Sequence, residues 1–121
     1  MNIQKFLRSF GYAYIGFKHI WQHHQNIRFH ILAALGAFIF SIVLKVTYVE
    51  YLILLITIFF VIVTEMMNTA IEEMTDLITT EHRKEAAVAK DVAAAAVLLS
   101  SLFSIIVASI IFLPKLIQLL T

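Results

Sequence analysis

Residues 92–113, VAAAAVLLSSLFSIIVASIIFL, run for twenty-two positions without a charged side chain. A helix needs about 20 apolar residues to cross the hydrocarbon of a bilayer, so this stretch is long enough on its own. Pro114 and Lys115 close it. A second apolar stretch covers residues 27–44, with Arg28 and His30 at its entry. The third, YLILLITIFFVIV at 51–63, is only thirteen residues long. That is too short to span, so its helix has to continue through Glu65 and Asn68, carrying polar side chains to the bilayer boundary or inside it.

Composition excludes the soluble alternative. With 61% hydrophobic and 14% charged residues, a chain of 121 residues has too little polar surface for a water-facing domain. The absence of cysteine excludes a disulfide framework and any thiolate-bound metal. The first residues, MNIQKFLRSFGYAYIGF, carry scattered charge and lack the short apolar core of a signal peptide. Instead Ile3, Phe6, Leu7, Phe10, Tyr14, Phe17 and Trp21 follow helical spacing. Lys5, Arg8, Tyr12 and His19 lie on the opposite face. An aromatic stripe opposed to a basic, acid-free face suits a helix lying among lipid headgroups.

The expected fold is an all-α integral membrane protein forming one domain over 1–121. An amphipathic surface helix occupies 1–25, and three transmembrane helices follow at 27–45, 48–78 and 90–113, the second with a cytoplasmic extension. Three crossings place the N-terminus and the polar link 79–91 on one side. That side collects Lys5, Arg8, Lys18, Arg28, Arg83, Lys84 and Lys90, against Lys45 and Lys115 on the other. The positive-inside rule makes the first side cytoplasmic and the C-terminus external, in a cell membrane protein.

The acids are distributed unevenly. None precedes Glu50, and five of eight fall between Glu65 and Glu81. At about 100° per residue, Glu65, Asn68, Thr69, Glu72 and Asp76 share one helical face, with Glu73 just outside it. Like charges spaced three and four apart repel by a few tenths of a kcal/mol per pair. A carboxylate near mid-bilayer costs about 3 kcal/mol on insertion scales. Either a metal ion or the basic residues 83, 84 and 90 must compensate. A solvated helix end accounts for Glu72, Glu73 and Asp76, but Glu65 and Asn68 lie too deep for that. The three glycines form neither GxxxxGK[ST] nor GxGxxG, so a phosphate site here has to be built from side chains and a metal.

The pattern ExxNTAIExxxD (Glu65, Asn68 to Glu72, Asp76) together with AKDxAAxAVLL (Ala89 to Leu99) resembles the small prokaryotic diacylglycerol kinase family. GYAYIGFKHIW and QNIRFH extend the likeness over nearly the whole chain. The resemblance implies a homotrimeric lipid kinase with composite sites, using ATP and Mg2+ to phosphorylate a membrane lipid alcohol. Undecaprenol is the first choice of substrate and diacylglycerol the second, and no nucleic-acid partner is expected. It further implies that Glu65 is the catalytic base toward the lipid hydroxyl, that Asn68 orients neighbouring groups and that Glu72 ligates the metal. Lys90 and Asp91 would meet the nucleotide, joined by Glu81 of the link, with Asp76 behind the metal ligands. Lys5, Arg8 and Tyr12 fall where the family's surface helix touches nucleotide and lipid headgroup.

Two places depart from the family pattern. His24 stands where a glutamate usually joins the metal site, and an imidazole there suits Mn2+ or Zn2+ better than Mg2+. The link EHRKEA has His82 and Arg83 in place of the family's aromatic–histidine pair. His19, His23 and His30 read as ordinary polar residues of the interface. Two other functions compete with the kinase: a small ion-coupled transporter using Glu65 as an intramembrane site, and a catalytically weak family member with a regulatory role.

Overall fold

The computed structural model describes residues 1–78 and 83–121. Four helices follow in order: α1 (Ile3–His23), α2 (Gln25–Val43), α3 (Tyr48–Ile78) and α4 (Lys84–Leu120). The last three are each long and apolar enough to cross a membrane.

Local chemistry sets the helix ends. The Asn2 side chain accepts a hydrogen bond from the Lys5 backbone N–H at 3.3 Å, opening α1. His24 is extended (φ −125°, ψ 118°), closing α1 and opening α2 at once. Its own N–H still donates to Ile20 O at 2.9 Å. One residue therefore separates the two helices, and α2 begins slightly before the expected apolar stretch.

At the other end of α2, Lys45 adopts φ 53°. Lys45 N–H donates to Ile42 O (3.2 Å) and Val46 N–H to Ser41 O (3.1 Å), the pairing of a Schellman motif. Thr47 then caps α3. Its hydroxyl accepts from Glu50 N–H at 3.2 Å, and Glu50 Oε2 accepts from Thr47 N–H at 3.4 Å. This reciprocal capping box explains why α3 starts at Tyr48; a lost N-cap typically costs about 1 kcal/mol. Glu50 also pairs with Lys115 at 3.2 Å, tying the start of α3 to the far end of α4.

Pro114 does not end the last helix. α4 continues through it to Leu120. Proline removes one N–H and clashes with the carbonyl four residues back, yet inside membrane helices such breaks are tolerated when neighbouring groups support the turn. Here the Lys115–Glu50 pair anchors the helix one residue beyond the break. The N-terminal start of α4 at Lys84 also makes most of the polar link helical.

α3 is the centre of the fold, with α4 and α2 both packed against it. The interior is not apolar. Buried Ser41, Thr57, Glu65, Asn68, Thr69, Thr75 and Ser100 outnumber buried Ile27, Leu54, Val61, Ala93 and Ile111. Small side chains let helix backbones approach when no hydrophobic force separates inside from outside. The hydroxyls are satisfied within their own helices: Thr57 donates to Ile53 O (2.7 Å), Thr69 to Glu65 O (3.0 Å) and Ser100 to Val97 O (2.9 Å). Of the AAAA run only Ala93 is buried; the next three alanines face outward. The large residues Phe59, Phe60, Leu98, Phe103 and Ile106 are exposed, as a lipid-facing surface requires.

Candidate active site

As the thirteen-residue apolar run requires, α3 continues without interruption through Glu65 and Asn68. At 1.5 Å per residue its thirty-one residues measure about 46 Å, longer than the ~30 Å hydrocarbon, so the last turns extend past it. Glu65 is 2% exposed and Asn68 5%. Glu65 Oε2 and Asn68 Oδ1 are buried and lack any hydrogen-bond partner. Leaving such atoms unpaired is costly, more so for a charged group, so their persistence marks a position shaped for something besides stability.

Glu72, one turn on, is half-buried, and its Oε1 accepts from Asn68 Nδ2 at 3.3 Å. Asn68 thus stands between the two carboxylates, with its carbonyl oxygen still unused. His30 of α2 faces Glu65, its Nε2 3.6 Å from Oε2. Sequence reasoning passed over His30, because nothing in spacing within α2 shows which way it faces across to α3. An apolar cavity of about 210 Å³ begins beside it, lined by His30, Ala33, Ala37, Val61 and Ser104 among others.

Further along, Lys90 of α4 is paired with Asp76. The basic residue near the link does meet the acidic face, as charge compensation demanded. Asp91 is exposed next to it. His24 turns to Glu73 rather than Glu72: its Nε2 lies 2.8 Å from Glu73 Oε1, and His19 Nε2 lies 2.7 Å from the same oxygen. Lys5, Arg8 and Tyr12 are exposed on α1, which buries none of its residues. Within the protomer the structure does not bring these three to the carboxylates. Glu81 and His82 lie outside the described residues.

The arrangement offers a buried carboxylate able to take a proton, an adjacent amide, and a second carboxylate facing the polar end. Hard oxygen donors of this kind fit a magnesium ion: Glu72 supplies a carboxylate and Asn68 a free carbonyl oxygen. Lys90, paired with Asp76, adds a compact cation beside the acidic face.

Comparison with known proteins points the same way. Residues 11–112 match the family described as prokaryotic diacylglycerol kinase. The undecaprenol kinase of Bacillus subtilis (strain 168) is 36% identical over 115 residues, covering 95% of this chain and 94% of its own length.

Proposed function

We propose that this chain, which belongs to the prokaryotic diacylglycerol kinase family and is thus a membrane lipid kinase using ATP, phosphorylates undecaprenol. The observation that carries the site assignment is the buried, unpaired Glu65 oxygen, 3.6 Å from the imidazole of His30, which lines an apolar cavity. A lipid alcohol entering from the bilayer would leave its chain among the cavity's alanines and present its hydroxyl at the polar end. The hydroxyl oxygen attacks the γ-phosphorus, its proton passes to Glu65 Oε2, and ADP departs. His30, its Nε2 3.6 Å from Oε2, faces the Glu65 carboxylate during that transfer, while Asn68 orients Glu72. General-base assistance of this type typically supplies about 10²–10⁴-fold.

Glu72 would hold Mg2+, with Asn68 positioning its carboxylate; the ion neutralises polyphosphate charge when bound. Lys90 and Asp91 meet the nucleotide, and Asp76 holds Lys90 in position. The exposed Lys5, Arg8 and Tyr12 support a homotrimer in which α1 of one protomer, an amphipathic surface helix, completes the site of another. Arg8 then meets the lipid headgroup, and Lys5, Tyr12 and Glu81 the nucleotide. The charge distribution supports a cytoplasmic N-terminus and link and an external C-terminus. The transporter reading finds no support: among the described residues no acid lies on α3 between Glu50 and Glu65 to continue a path.

The test is transfer of labelled γ-phosphate from ATP to undecaprenol and to diacylglycerol in mixed micelles. A kcat/KM at least about tenfold higher for undecaprenol is expected. Reversed preference would assign the acceptor to diacylglycerol, equal rates would remove the preference for undecaprenol, and no transfer to either would leave a regulatory family member.

A further inference from the structure

Glu73 is the acid that the carboxylate face leaves out, and two histidines converge on it. His19 comes from the last turns of α1, His24 from the junction between α1 and α2, and Glu73 from the end of α3. Both imidazole Nε2 atoms approach the same oxygen, Glu73 Oε1, at 2.7 and 2.8 Å. Ligand atoms of all three residues lie within 4.8 Å of one another. The side chains of His19 and Glu73 are each 47% exposed and that of His24 23%, so the cluster is open to ions in solution.

We propose that His19, His24 and Glu73 form a binding site for a zinc-type divalent cation, separate from the magnesium carboxylates of α3. Two imidazoles and one carboxylate are a ligand set that suits Zn2+, with a fourth position left for water. Magnesium prefers oxygen donors throughout and is disfavoured here. A tetrahedral ion with bonds of about 2.0–2.1 Å spaces its ligands about 3.4 Å apart. The His–Glu distances must therefore open by a little over half an ångström, which half-exposed side chains permit.

On binding, each imidazole keeps its proton on Nδ1 and gives the Nε2 lone pair to the metal. Any proton on Nε2 leaves to solvent as the metal–nitrogen bond forms. His23 braces the site without joining it: its Nδ1 lies 2.9 Å from His19 O, and its ring stacks on His19 at 4.5 Å. Glu72 is directed elsewhere, toward Asn68. A bound ion would clamp α1, which buries none of its own residues, onto the end of α3.

The experiment is a Co2+ titration of tag-free, chelator-stripped full chain in detergent micelles, read by visible absorption and by displacement with Zn2+. One Co2+ per chain is expected, with the intense bands of a tetrahedral nitrogen–oxygen site that Zn2+ abolishes. His19→Gln, His24→Gln and Glu73→Gln should each weaken Co2+ binding by roughly tenfold or more, while Glu72→Gln leaves it unchanged. Helicity by circular dichroism should be the same in all four variants. Wild-type affinity in His19→Gln and Glu73→Gln would overturn the proposal. So would absence of the bands, or a loss confined to Glu72→Gln, which would put the ion among the α3 carboxylates.

Discussion

Replacing Glu65 with glutamine isolates the proton-accepting role from every other property of the site. The side chain is nearly isosteric, and with Glu65 only 2% exposed the amide occupies the same enclosed space. What changes is basicity. An amide cannot take the hydroxyl proton, so kcat should fall by about 10²–10⁴, equivalent to roughly 3–5 kcal/mol of barrier. The KM for ATP should stay near its wild-type value, since Glu72 and Lys90 are untouched. Fold stability should not fall either, because the substitution removes a buried charge whose Oε2 has no hydrogen-bond partner. Labelled-phosphate transfer to undecaprenol gives kcat, and a thermal scan in detergent gives stability. Activity above about a tenth of wild type would remove Glu65 from the base role. Full inactivity with a collapsed thermal transition would make it a structural residue.

Glu72→Ala should raise the magnesium concentration needed for half-maximal activity at fixed ATP, because the best oxygen donor beside Asn68 is lost; an unchanged metal titration would place the ion elsewhere. Lys90→Met should raise the KM for ATP with little change in melting temperature, since its pair with Asp76 is well exposed and such pairs contribute ~0–1 kcal/mol; steady-state kinetics beside a thermal scan checks both halves. His24→Glu should weaken Co2+ binding at the histidine cluster no more than His24→Gln does, since a carboxylate remains there as a ligand, and if residue 24 also reaches the catalytic metal it should lower the magnesium requirement; Co2+ titrations and magnesium titrations of activity read the two effects. Lys45→Gly should stabilise the chain by roughly 1 kcal/mol, because the left-handed φ of 53° that closes α2 strains a side-chain-bearing residue but not glycine; detergent thermal melts read it.

The membrane-spanning architecture was legible in the sequence because it follows from lengths. The uncharged part of α3 could not span alone, so Glu65 and Asn68 had to lie within the helix, and they do. The acidic face was equally legible, since one helix's periodicity places its own residues. Contacts between helices were not. That His30 faces Glu65, or that His24 meets Glu73 rather than Glu72, depends on how each helix is rotated about its axis, which spacing within one helix does not encode. Pro114 misled for a different reason. Its local preference to end a helix did not prevail: α4 runs through it to Leu120, and the pair of Lys115 with Glu50 of α3 lies one residue beyond it. The cap that starts α3 is local in sequence, since Thr47 and Glu50 stand in the TxxE spacing of a capping box.

His24 serves as the cap of two helices at once, and this gives the molecule a mechanical property. α1 is a rigid arm of twenty-one residues, about 31 Å long, pivoting on the φ and ψ of a single residue. A rotation of only ~10° at that pivot sweeps the Asn2 end through about 5 Å, while displacing His19, one turn from the pivot, by about 1 Å. Lys5 and Arg8 ride near the tip of the arm, where leverage is greatest. Small changes in backbone angle at His24 are thus magnified into the reach of the basic residues, and whatever grips Glu73 near the fulcrum governs where the tip can go.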